Sequence, residues 1–111
     1  MSMHLIHTIE LPWQKTPVDG VTSKDLVHES HGTAKLIRLA PNAVYPTHQH
    51  PNRDEYVFVL VGKATLSVGD DRQDASPGDF TLIPMGIFHA LANYTETEVV
   101  LWAGAIIPGP G

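Results

Sequence analysis

The sequence contains no cysteine, which excludes a disulfide framework, a thiolate metal site and a cysteine nucleophile, and leaves the redox compartment open. Charge is also sparse: charged residues make up 17% of the chain, and 7 basic side chains against 12 acidic ones give a formal charge of -5. Such a chain offers no basic surface for a polyanion, so nucleic acid is not an expected partner. No apolar run approaches the length of a membrane span. The opening residues, MSMHLIHTIELPW, lack a basic start leading into an apolar stretch, so no membrane association is expected and the default location is cytoplasmic. Nine glycines and nine prolines interrupt the chain at short intervals, and no window sustains apolar recurrence at helical spacing.

What remains reads as strand. At 111 residues and 12.1 kDa the chain has length for one core. It divides into an N-terminal arm or edge strand over residues 1–20, a single β-domain over 21–107 and a flexible tail over 108–111. Leu5 to Leu11 is the candidate edge strand. Val21–His28 and Thr33–Leu39 form a strand pair joined through ESHG, where Gly32 is expected to take the positive φ of a turn. His48 and His50 lie on a short extended piece, one residue apart and therefore on one face. EYVFVLV, ATLSV, TLI, IFHAL and EVVLWAGAII supply further strands, with GDDR as a turn. This gives roughly eight or nine short strands, the cadence of a double-sheet jelly roll. EYVFVLV is apolar on both faces and needs cover on both, so a homodimer through a sheet face is expected, with Phe58, Leu60 or Trp102 at the contact.

Glu55 is the polar member of the row Glu55, Val57, Val59 and Val61, and His89 stands among Ile87 and Leu91 on its own strand. If His48, His50, Glu55 and His89 converge, three neutral imidazoles and one carboxylate suit a first-row divalent ion and leave it residual positive charge. The competing reading keeps His48 and His50 on a surface loop and Glu55 as a solvated strand start; with 7 histidines in the chain, HxH alone is weak. Asp54 competes for the carboxylate role but faces away from Val57. His4, His7, His28 and His31 read as surface residues, and Asp79 as a turn acceptor. Val57, Val59, Ile87, Leu91 and Leu101 are expected to wall a mostly apolar pocket. Among polar residues, Arg38, Tyr45, Thr65 and Ser67 have no facing that can be read from sequence, and the candidates for a sugar-acid pocket are Arg38, Lys35 and Gln49, of which Gln49 is expected to face away.

These residues carry a family resemblance. PNAVYPTHQHPNRDEYVFVLVG resembles the first cupin motif, matched at His48, His50, Glu55 and Gly62, with Asn42 where the family has a glycine. GDFTLIPMGIFHALAN resembles the second, matched at Gly78, Pro84, Gly86, His89 and Asn93. The resemblance implies a double-stranded β-helix, or jelly-roll barrel, of minimal size. It also implies one divalent transition metal per chain (iron, manganese, zinc, nickel or copper) held by His48, His50, Glu55 and His89. The family does not set the reaction. The expected function is a metal-dependent oxygenase acting on a small organic substrate chelated at the metal. The alternative is a non-redox cupin, either a sugar-acid isomerase or lyase, or a regulatory or ligand-sensing domain without turnover.

Overall fold

The computed structural model describes residues 3–108 and folds them into two antiparallel sheets around one core. The strands in chain order are β1 (Gln14–Lys15), β2 (Val21–Glu29), β3 (Gly32–Leu39), β4 (Val44–His48), β5 (Asp54–Val61), β6 (Ala64–Val68), β7 (Asp71–Ala75), β8 (Phe80–Ile83), β9 (His89–Ala92) and β10 (Val99–Ile106). Six pair in the order β1-β2-β3-β10-β5-β8 and four in the order β4-β9-β6-β7. This is the expected jelly roll. The proposed tail falls mostly on residues 109–111, outside the described residues.

Alternation of side chains builds the core. Along β10, Val99, Leu101, Ala103 and Ala105 are buried, whereas Trp102 is 42% exposed on the other face, as the period of two requires. Val57 and Val59 of β5 join them from the same sheet, and Leu66 and Leu91 meet them from the other. Each fully buried Leu or Val of this kind contributes about 1.5–3 kcal/mol relative to exposure.

Several sequence expectations need correction. Leu5–Leu11 forms no strand; Thr8–Glu10 is a single 3₁₀ turn and β1 makes the sheet edge. The arm is held by Trp13, whose ring has Lys24 Nζ at 4.5 Å and the Arg38 guanidinium at 4.6 Å, and Lys24 also donates to the Thr8 carbonyl at 2.8 Å. Cation–π anchoring leaves no apolar period in the sequence to read. Gly32 lies inside β3 and is not among the positive-φ residues; a Cβ there would stand 3.1 Å from the Ala105 carbonyl oxygen, so close approach accounts for the glycine. Positive φ occurs at Gly20, Gly62, Gly69, Gly78 and Gly86 and, among the described non-glycine residues, at Asn42, with φ 66°, which an asparagine tolerates. The chain turns at Gly69, but Asp71 and Arg72 already belong to β7. That strand is polar and pairs only with β6, so it shows no alternation. Val61 is 46% exposed because a bulge between Val100 and Leu101 ends the inward row.

Among the described residues, the arm covers the outer face of the six-stranded sheet at its β2–β3 end, over Lys24 and Arg38. Across β10, β5 and β8, Trp102 pairs with Phe58 and Phe58 with Phe80. Tyr56 packs over Gly104, where a Cβ would run into its ring, and stacks on Phe80 with centroids 6.1 Å apart. Phe80 is 62% exposed and Leu82 50%.

Candidate metal centre

The site is assembled from both sheets at one end of the barrel. β4 and β9 pair so that His48 and His89 are direct partners, with ring centroids 4.1 Å apart. Glu55 enters from β5 in the facing sheet, between Ala105 of β10 and Ile83 of β8. His50 lies just past the end of β4, in the loop to β5, so the two histidines of HxH do not share a strand. That loop is stapled to the β8–β9 turn: Gly86 N–H donates to the His50 carbonyl at 2.8 Å, and Met85 N–H donates to Asp54 Oδ1 at 2.9 Å. Asp54 thus joins the two loops and leaves the inward carboxylate role to Glu55.

One candidate ligand atom from each of His48, His50, Glu55 and His89 lies within 4.8 Å of the others. Two backbone carbonyls set the imidazole tautomers. His48 Nδ1 sits 2.8 Å from Pro46 O and His89 Nδ1 2.9 Å from Ile87 O; a carbonyl can only accept, so Nδ1 carries the proton in both rings and the Nε2 lone pair is free for a cation. His50 Nε2 accepts from Arg53 Nη2 at 3.2 Å yet stands 2.8 Å from Glu55 Oε1. The buried Oε1 has no hydrogen-bond partner of acceptable direction, so two lone pairs face each other across a gap that an ion would fill. The donor set fits a divalent transition metal on its own geometry.

The electrostatics follow from the same contacts. Burial pulls the His89 imidazole down, but the contact with Glu55, the Ile87 carbonyl and the Glu55 charge together outweigh it and hold His89 above its ordinary value. Burial raises Glu55, and the contact with His89 and the charges of His50 and Arg53 bring it below the usual carboxylate range. Burial dominates at His50 and lowers it, with Arg53 adding to the effect against Glu55. An imidazole must shed its proton before it can ligate, so the raised value at His89 sets the acid limit. Affinity for zinc is therefore expected to fall as pH drops through and below the His89 value, by up to about tenfold per pH unit for each proton displaced. Competition titrations between about pH 5.5 and 8 check this; a flat profile would remove His89 from the ligand set.

A cavity of about 70 Å³ adjoins the four residues, lined in part by Ile37, Val57, Ile83, Leu91 and Ala103. Val57 and Leu91 were expected there. Val59 and Leu101 are not among its lining residues, and Ile87 lies in the turn before β9, 38% exposed. Of the polar residues whose facing the sequence left open, Tyr45 lines the cavity, as does Lys35, one of the candidates for a sugar-acid pocket. Arg38 bonds Thr22 Oγ1, and Thr65 donates to Asp74 Oδ1. Arg53 also lines the cavity and was not foreseen; its place between HxH and the glutamate was the available signal. A larger cleft of about 550 Å³ opens beside β7 and β8, and none of the four residues lines it.

Residues 35–104 match the family model described as the cupin domain. The dimethylsulfoniopropionate lyase DddQ of Ruegeria pomeroyi is 34% identical over 80 residues, which cover 69% of this chain and 39% of that protein. The chain spans about two fifths of the length of the curated relatives it matches. A solved structure described as a predicted oxalate decarboxylase from Thermotoga maritima superposes with a TM-score of 0.88 at 16% identity, covering 95% of this chain and 100% of the other. The polyketide cyclase RemF of Streptomyces resistomycificus gives 0.85 at 18%, covering 99% and 83%. At those identities the likeness is one of fold. With the family match extending over both motifs and every strand that bears a candidate metal donor, the chain belongs to the cupin domain family.

Proposed function

We propose that this chain is a metal-dependent enzyme of the oxygenase type, acting on a small organic substrate that reaches the ion through two oxygens. The observation that carries the reading is the convergence of three imidazoles and one carboxylate beside a cavity. Four protein donors leave a six-coordinate ion two further positions. A bound redox-active ion would supply Lewis-acid polarisation and the one-electron chemistry that dioxygen requires. The protein's part is to hold His48 and His89 by their Nδ1 protons, to supply one negative charge through Glu55, and to wall the substrate with Ile37, Val57, Ile83 and Leu91. Anaerobic reconstitution with iron(II), followed by oxygen-uptake measurements against diketones, catechols and hydroxy acids, tests it, with His50→Ala as control. No uptake across that panel, alongside tight zinc or nickel retention, would overturn the oxygenase reading.

A lyase or isomerase is the second reading, and Tyr45 favours it. Its ring lies 4.8 Å from that of His48 and Tyr45 lines the cavity, so on this reading its phenol would serve as the proton donor or acceptor for a substrate beside the ion. The name of the Ruegeria relative agrees with that class. Proton–deuterium exchange into a substrate without oxygen uptake would select it.

A second copy of the chain is proposed to cover the open β10-β5-β8 face. No charged residue occupies the row Trp102, Phe58 and Phe80 or the row Tyr56 and Leu82, and the first row carries three aromatic rings. Sedimentation is expected to give a dimer of the 12.1 kDa chain at micromolar concentration, and Trp102→Glu a monomer. A wild-type monomer would refute it.

A further inference from the structure

The sequence pointed to a mostly apolar pocket, but the cavity beside the four metal donors carries two cations. Arg53 reaches it from the loop between β4 and β5, and Lys35 from the mouth end of the inward row Lys35, Ile37 and Leu39 on β3. Glu55 is the one acidic residue in the lining, and it is taken up by the histidines. Lys35 makes no salt bridge among the described residues.

Arg53 is the informative member. Its Nε is closed to solvent and has no acceptor, while its Nη2 donates at 3.2 Å to His50 Nε2. Nε and Nη2 lie on the same edge of the guanidinium plane and together form the fork that takes both oxygens of a carboxylate. One prong is therefore unsatisfied in a buried setting, which costs about 1–3 kcal/mol unless something fills it. The other rests on a nitrogen that belongs to the metal donor set, and an ion at that nitrogen would release it. Nη2 would then be free at the cavity that Arg53 lines, and Nε, closed to solvent in this structure, would join it against a carboxylate once the side chain turns.

We propose that Arg53 is the residue that selects the substrate. It binds the carboxylate of a small α-oxo or α-hydroxy acid beside the metal, and Lys35 offers a second cation to the same anion. This rests on the metal-enzyme reading above and names its substrate class. A cavity of about 70 Å³ holds roughly the volume of two waters, so the acid that fits has a short chain. Formal charges agree: Arg53, Lys35 and Glu55 sum to +1 before any ion is added, which favours an organic anion over a neutral diketone.

The test uses the full chain loaded with zinc, which binds without redox turnover, and titrates it calorimetrically with glycolate, glyoxylate and the neutral analogue hydroxyacetone. Wild type is expected to bind the two acids at least about tenfold more tightly than hydroxyacetone. Arg53→Gln should lose at least that factor for the acids, with zinc content and hydroxyacetone binding unchanged, and Arg53→Lys should recover part of it, because charge returns without the fork. Circular dichroism melts confirm that each variant is folded. Arg53→Gln protein that binds the acids as wild type does, or that loses zinc while zinc-loaded molecules keep full acid affinity, would overturn the proposal and leave Arg53 as a brace for the loop. Oxygen uptake is measured separately: Arg53-dependent acid binding without uptake sinks the oxygenase reading alone, and uptake with Arg53-independent binding sinks this one alone.

Discussion

Glu55→Gln is expected to lower affinity for divalent ions by about a hundredfold or more. The carboxylate is the only anionic donor among the four, and an amide oxygen in its place is neutral and a weaker partner for a transition ion. Losing a residue that merely orients a ligand commonly costs about 10–100-fold, so loss of a direct donor should cost at least as much. The substituted side chain has nearly the same volume, and the buried Oε1 makes no directional hydrogen bond to lose, so the fold should stand. Metal content after dialysis against a chelator, with circular dichroism as the fold control, checks both halves. Asp54→Asn is the comparison: its carboxylate joins two loops through Met85 N–H and should affect affinity far less. Wild-type retention by Glu55→Gln protein would remove Glu55 from the ligand set.

Asn93→Ala is expected to be the most destabilising single change at a motif position, by about 3–5 kcal/mol. Asn93 is fully buried. Its Nδ2 donates to the carbonyls of Leu39, Ala40 and Thr97 at 3.1, 3.2 and 2.8 Å, and its Oδ1 accepts from the Thr95 N–H and hydroxyl. The side chain ties the end of β3 to the loop between β9 and β10, and alanine would strand these groups away from water. For a domain of this size the loss corresponds to a melting-temperature drop of about 15 °C or more. Asn93→Asp separates the donor role from the acceptor role. It keeps the oxygen for Thr95 but faces three carbonyls with a carboxylate, so it should destabilise comparably. A drop below about 1 kcal/mol for either variant would mean that the loop relaxes to satisfy itself.

Much of the core was legible because its signals are local. In β10, the alternation of Val99, Leu101 and Ala103 with Trp102 needed only the period of a strand. β7 was not legible, since Asp71–Ala75 sits at a sheet edge where little burial demands apolar residues. Nor was the arm, whose Trp13 is anchored by two cations that lie adjacent only once β2 and β3 have paired.

The sequence by itself pointed to a double-sheet strand architecture and, through the two motifs that resemble the cupins, to His48, His50, Glu55 and His89 as candidate metal donors. Strand periodicity, the position of turn residues and the chemistry of histidine and glutamate are properties of residue type and spacing. Tertiary structure decided how those donors meet and what surrounds them. His48 and His89 became partners through β4–β9 pairing, Glu55 came from the facing sheet, and Asp54 was assigned to a loop staple. Arg53 and Lys35 turned a pocket expected to be apolar into a cationic one, because the direction of a long side chain depends on the path of its loop and the packing opposite it, which no local pattern encodes.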